Sequence, residues 1–388
     1  MEQLVRLGDV CTVVSGSTPK TSVDEYWNGD VKWITPAELD ADSYYIHDSV
    51  KHITELGRTK TGLSYMPVGT VILSSRAPIG KTAILGCEMC CNQGFKNLIC
   101  TDRIFNEYLY HFLRAKTNYL NSLGRGATFK ELSKGIVENV LIPLPAIEEQ
   151  HHIADLFASV EELIQTKKQQ LDLFDELVKS RFIELFGSLN DNEKGLDIVS
   201  IEELCTLIKD GTHQTPTYTE DKQNGFKFLS SKDVMTQKIC WDDIKYIPAE
   251  LHEKLYATIQ PQRNDILMSK NGVNYGVAAV NDTDEIFDIY VSLALLRPRT
   301  DMVNPVYLRC VINNPDTKRQ FDSSIKGIGV PNLHLGEIKK TKVLFPPIDK
   351  QNEFVAFVEQ TEKSKLAVQQ SIAELEELKK SLMQKYFG

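Results

Sequence analysis

The sequence has no apolar run near the roughly 18 residues that a membrane-crossing helix requires. Its first stretch, MEQLVRLGDVCTVV, has no basic leading region, no continuous apolar segment and no small-residue cleavage site. No membrane span is therefore expected, and a cytoplasmic location is. There is no GxxxxGK[ST] phosphate loop, no HExxH and no GxSxG, which removes the most recognisable catalytic loops. A compact cysteine framework is missing too. The eight cysteines (Cys11, Cys87, Cys90, Cys91, Cys100, Cys205, Cys240 and Cys310) are scattered, which fits a reducing compartment. Cys87-Glu-Met-Cys90 has the spacing of half a zinc site, but no second pair follows it, so ordinary thiols are expected and no metal.

Positive charge is also in short supply. The chain carries 44 basic and 53 acidic side chains, a formal charge of −9, which disfavours a simple nucleic-acid binder. The imbalance is local, however. Residues 1–146 hold 15 acidic and 15 basic groups, and residues 199–346 hold 19 and 18. Residues 147–187 alone contribute −5, so the acidity sits mainly outside the two large blocks. Those blocks are near neutral and can still segregate a basic face.

What is present is one plan written twice. At 388 residues and 42% hydrophobic content the chain suits two globular domains. Residues 124–187 align without gaps on residues 325–388: Gly126 meets Gly327, Leu132 meets Leu333, Pro145 meets Pro346 and Gln150 meets Gln351. Upstream, Val-Lys-Trp33-Ile-Thr echoes Phe-Lys-Phe228-Leu-Ser, and after two further residues each reaches an acidic position, Glu38 and Asp233. Gly69 to Arg76 echoes Asp265 to Lys270, and Ser-Gly16-Ser-Thr-Pro19 echoes Asp-Gly211-Thr-His-Gln-Thr-Pro216. A period this long describes whole domains rather than solenoid units.

Each copy divides into a globular part and a helix. Short β-branched runs (Thr70 to Ser74, Asp265 to Ser269, Tyr290 to Leu296) alternate with Gly, Asn and Pro turn signals, and short helices are expected near Glu107 to Lys116 and Val306 to Asn313. This is an α+β, strand-rich pattern. From Glu148 to Phe186 there is neither Pro nor Gly. Ile153, Phe157, Val160, Ile164, Leu171, Phe174, Val178 and Leu185 recur at helical spacing as one apolar stripe. The second copy, Gln351 to Phe387, repeats it with Phe354, Val358, Val368, Ile372, Leu375, Leu382 and Tyr386. At 1.5 Å per residue each helix is about 60 Å long, and a single stripe of that length needs a partner. Two copies packed antiparallel, with a pseudo-two-fold axis, are the economical solution. Packing of each helix on its own globular half is the alternative.

The phrases Ile142-Pro-Leu-Pro-Ala-Ile-Glu-Glu-Gln150 and Phe345-Pro-Pro-Ile-Asp-Lys-Gln351, each opening a long helix, resemble the start of the helices of type I restriction-modification specificity subunits. Arg6-Leu-Gly-Asp-Val, Gly16-Ser-Thr-Pro19, Trp33-Ile-Thr-Pro and Gly69 to Arg76 also resemble that family's target-recognition domains. The resemblance implies recognition domains at 1–146 and 199–346, spacer helices at 147–187 and 347–388, and a linker at 188–198. It implies that each recognition domain reads one half of an asymmetric bipartite site in double-stranded DNA. It implies helices that set the spacer and dock two modification (methyltransferase) subunits. Restriction (helicase-nuclease) subunits are further implied partners. No cofactor is expected in this chain; S-adenosylmethionine, ATP and Mg are expected on the partners.

Candidate DNA contacts follow from loops that combine glycine with donors. In the first copy these are Lys20, Arg76, Lys81, Arg125 and Lys130, and in the second His213, Lys270, Asn271, Asn274, Lys326 and Asn332. Two competing readings lack a DNA-specificity role. Asp316, Glu337 and Lys339 have the spacing of a PD-ExK nuclease site for Mg²⁺, but Glu337 and Lys339 fall on Ile136 and Glu138 in the first copy, and Asp316 is also suited to starting a helix. The long helices could alternatively serve a coiled-coil protein scaffold.

Overall fold

The computed structural model describes residues 3–40, 42–76, 78–125, 130–325 and 331–388. Two compact units are present, one made of residues 1–169 with 369–388, the other of residues 170–368.

The first unit is built on a five-stranded sheet in the order Cys11–Ser15, Phe95–Cys100, Val71–Ser74, Thr82–Leu85, Tyr45–Ile46. Val71–Ser74 and Thr82–Leu85 are buried at every position, as expected of inner strands made of three apolar residues and one hydroxyl residue. A three-stranded sheet (His52–Ile53, Trp27–Ile34, Cys90–Cys91) lies beside it in the chain's plan, and a ribbon of Leu4–Arg6 with Leu141–Pro143 closes the domain at the foot of the long helix. The second unit repeats this scheme. Its four-stranded sheet runs Cys205–Asp210, Leu293–Pro298, Ile266–Ser269, Ala278–Val280; its three-stranded sheet is Lys245–Ile247, Phe226–Leu229, Phe287–Ile289; its ribbon pairs Asp197–Ser200 with Lys342–Phe345. The acidic positions that recur after Thr35 and Ser230 are capping boxes. Glu38 accepts from the Thr35 backbone N–H and Asp233 from that of Ser230, in both cases over a short 3-10 turn.

The long helices span Ile147–Phe186 and Ile348–Phe387. Glu148 and Glu149 occupy the first turn of the first helix, where the helix dipole favours anions. Gly187, at φ +74°, ends it by donating its N–H to the Ile183 carbonyl. Within the first unit the two helical segments run antiparallel: Phe157 stacks on Phe387 with ring centroids 5.6 Å apart, and Glu161, later in the first helix, pairs with Lys379, earlier in the second. Within the second unit Asp175 pairs with Lys365 at 2.7 Å and Arg181 with Glu353 at 3.1 Å, again antiparallel.

Of the expected stripe, Ile153, Phe157, Val160, Ile164, Phe354, Val358 and Val368 are buried, and Leu171, Phe174, Val178, Ile372, Leu375 and Leu382 are half-buried. The stripe also omits three fully packed aromatics, Phe182, Phe186 and Phe387. Their partners lie in the globular parts as well as on the facing helix. Phe387 and Phe157 enter the core formed by Tyr108 and Phe112, and Phe182 and Phe186 enter the core formed by Tyr307 and Val311. The helices thus pair antiparallel as expected, and the alternative of packing each on its own globular half is met only in part: Phe157 and Phe354 do so, whereas Phe387, Phe182 and Phe186 enter the core of the other half.

All eight cysteines are free. The CxxC thiols diverge, with Cys87 Sγ meeting the His47 carbonyl and Cys90 Sγ that of Ser64, and burial pushes the Cys90 thiol up to about 11. Among the described residues no helix is long and apolar enough to cross a membrane.

Candidate nucleic-acid interface

The two units build the same turn from the end of a central strand. In the first, the Ser74 hydroxyl donates to the Pro78 carbonyl (2.8 Å) and accepts from the Lys81 N–H (2.9 Å), while Gly80 N–H returns to the Ser74 carbonyl (3.1 Å). In the second, the Ser269 hydroxyl donates to the Asn274 carbonyl (2.8 Å) and accepts from the Val277 N–H (3.0 Å), while Gly276 N–H returns to the Ser269 carbonyl (2.7 Å). Gly80 has φ +100° and Gly276 φ +89°, conformations that disfavour a side chain. A Cβ on Gly80 would also come within 2.6 Å of Thr117 Cγ2.

The next residues form a second shared element. Leu132 N–H reaches the Ser75 carbonyl (2.8 Å), and Leu333 N–H the Lys270 carbonyl (2.7 Å). Beyond them Arg76 bridges to Glu131 and Asn271 to Asn332. Arg76 is therefore the counterpart of Asn271, and Ser75 that of Lys270.

Two of the expected contacts are tied into the fold. Lys270 lines the same cavity as Asn271 and Asn332, but its side chain is 6% exposed and Nζ lies 2.8 Å from Asp210 Oδ2. Burial alone would raise the Asp210 carboxyl, but the hydrogen bond and charge of Lys270, with His213 beyond it, outweigh this and hold it below the ordinary carboxylate value. Lys81 is likewise a strut, with Nζ donating to the carbonyls of Pro36 and Leu39. The first unit has a buried lysine of its own that the sequence reading missed. Lys96 is 6% exposed and reaches Ser75 Oγ at 3.3 Å and Glu131 at 3.6 Å. Burial lowers its pKa, with Glu131 opposing the shift. Its signal was a single charged residue inside the apolar run Phe95–Cys100. In both units a lysine thus underpins the turn, but it is supplied by different strands.

The remaining candidates divide. Arg76, Arg125 and Glu131 are brought together by two backbone bridges, and Arg76 Nε lies 3.1 Å from Glu131 Oε2. Lys130 is adjacent and exposed. Asn271, Asn332, His213, Asp210 and His334 line one open cavity of about 580 Å³. Asn274 is exposed but lines a different hollow, with Tyr275 and Lys318. Lys20 is exposed, and its carbonyl anchors Trp27 Nε1. Lys326 lies outside the described residues. The nuclease pattern is not assembled. Asp316 accepts from the Leu189 N–H and pairs with Arg319 in a helix capped by Asn314, while Lys339 pairs with Glu202 and Glu337 with Lys340.

The family model described as the type I restriction modification DNA specificity domain matches residues 2–173 and again residues 193–377. The chain belongs to this family. The specificity subunit of the MjaIX type I restriction enzyme of Methanocaldococcus jannaschii is 29% identical over 98% of this chain and 91% of its own length. The MjaVIII specificity subunit of the same organism is 22% identical over 90% and 83%. Among solved structures, the S subunit of a type I restriction-modification system from M. genitalium superposes with a TM-score of 0.56 at 13% identity, covering 100% of this chain and 96% of that one. A chain solved in work on complex assembly and conformational transition of the type I R-M system gives 0.66 at 20% identity, covering 99% and 97%. These likenesses show a shared fold. The family's specificity domain therefore corresponds to the duplicated sheets and turns described above.

Proposed function

We propose that this chain is the non-catalytic DNA-reading subunit of a type I restriction-modification enzyme. Each recognition domain takes one half of an asymmetric bipartite site in double-stranded DNA. The long helices set the unread spacer and dock two modification subunits, which carry S-adenosylmethionine and methylate adenine. Restriction subunits using ATP and Mg join that complex.

The observation that carries this reading is a scaffold held constant under changed side chains. The serine-anchored turn, the following backbone bridge and the helix-opening glutamine recur in both units, whereas Arg76 and Glu131 in one stand where Asn271 and Asn332 stand in the other. A duplicated frame with divergent exposed groups suits two half-sites of unlike sequence. Groups that only hold phosphate have no reason to diverge in this way.

The test is exchange of residues 1–146 for the matching domain of another family member, co-expressed with the modification subunits. Mapping methylated adenines across the host genome should show one half-site replaced and the other retained. Replacement of both half-sites would overturn independent reading.

A further inference from the structure

We infer that Arg76 in the first domain and Asn271 with Asn332 in the second are base-reading residues at equivalent positions, and that they select a G·C pair in one half-site and an A·T pair in the other. This rests on the DNA-reading function proposed above and deepens it.

Three observations lead here. The backbone frame makes the positions equivalent, since each stands two residues after the serine that anchors the turn and bridges to the residue preceding Leu132 or Leu333. The side chains at these positions are not committed to the core. Arg76 is 45% exposed and Glu131 38%, and Asn332 is exposed. Finally, each pair has hydrogen-bonding capacity left over. Arg76 meets Glu131 through Nε, one of five N–H donors on a guanidinium. Asn271 and exposed Asn332 line an open cavity of about 580 Å³, and Asn271 Oδ1 has no hydrogen-bond partner among the described residues, so a small side-chain rotation at the cavity wall would free its carboxamide for a ligand.

Base chemistry then decides between sites. A guanidinium donates in parallel to guanine O6 and N7, whereas a carboxamide accepts from adenine N6 and donates to N7. Glu131 is a positioning residue: its Oε2 holds Arg76, and its Oε1 lies 3.6 Å from the ammonium of buried Lys96, which fixes the carboxylate from behind.

The experiment uses the full chain assembled with its modification subunits and a set of duplexes carrying each single base-pair change in the methylated site. The Arg76→Gln complex should lose discrimination of about 5- to 150-fold at one G·C pair in one half-site, with the profile of the other half-site unchanged. Glu131→Gln should soften the same position only. The double substitution Asn271→Arg with Asn332→Glu should turn an A·T requirement in the second half-site into G·C. Uniform weakening across all duplexes by Arg76→Gln, or an unaltered profile, overturns the inference while leaving DNA reading intact. Absence of any bipartite preference in the unsubstituted complex overturns the DNA reading itself, and the inference with it.

Discussion

Gln150 and Gln351 stand 201 residues apart and make the same three hydrogen bonds. Each is fully buried near the start of its long helix. Gln150 Oε1 accepts from the Phe105 N–H (2.8 Å), and its Nε2 donates to the carbonyls of Arg103 (3.1 Å) and Pro145 (2.9 Å). Gln351 Oε1 accepts from the Asn304 N–H (2.9 Å), and its Nε2 donates to the carbonyls of Met302 (3.2 Å) and Pro346 (2.9 Å). One carboxamide thereby ties a domain loop, the Pro turn and the helix together. Gln150→Leu or Gln351→Leu keeps the volume but removes the partner of three backbone groups, most of them part-buried, at up to about 1–3 kcal/mol each. Both variants should lower the urea midpoint, and by similar amounts; a silent substitution at either site would show that the clamp is dispensable.

The stacked pair Phe157 and Phe387 joins the two helical segments of the first unit to its core. Truncating either ring to alanine should cost about 3–5 kcal/mol. Because the rings touch, the double substitution should cost less than the sum. Strict additivity in denaturant titrations would argue against direct coupling.

His111 is fully buried and stacks on Phe157 at 4.9 Å, and neither ring nitrogen has a hydrogen-bond partner among the described residues. Burial, then the charges of Lys379 and Arg114, push its pKa from 6.5 down to about 3. The unfolded chain therefore binds a proton that the folded chain refuses. Its contribution to stability is fully present above pH 6.5 and is lost as pH falls from there towards 3. His111→Phe should flatten this part of the stability–pH curve. An unchanged acid slope would assign the effect to other groups.

If the helices act as a ruler, four residues inserted near Gln170, about one turn, should lengthen the unread spacer. Both half-sites should persist. The methylated motif read from genomic DNA checks this, and altered half-sites would reject the ruler.

Much of this organisation was legible beforehand because it rests on periodicity. The helical stripe and the long repeat survive any local rearrangement, and a strand such as Val71–Ser74 announces its burial by the apolar run Val-Ile-Leu. Side-chain commitment was less legible. Lys270 and Lys81 look in sequence like exposed loop cations, but whether a lysine projects depends on which carbonyl or carboxylate the fold brings beneath it, and Asp210 lies 60 residues from Lys270. Phe182 and Phe186 escaped the stripe for a related reason. They answer to a globular core rather than to the helix seam alone, so their spacing follows two partners at once.

The placement of Phe387 bears on the order in which the protein takes shape. The core holding Leu7, Val13 and Tyr108 is completed by a ring from residues 369–388. At roughly 5–20 residues per second of synthesis, the two parts emerge from the ribosome tens of seconds apart. The second unit, continuous from 170 to 368, has no such wait. The half translated first is thus expected to be the half that matures last, exposing an unfinished apolar surface throughout the interval.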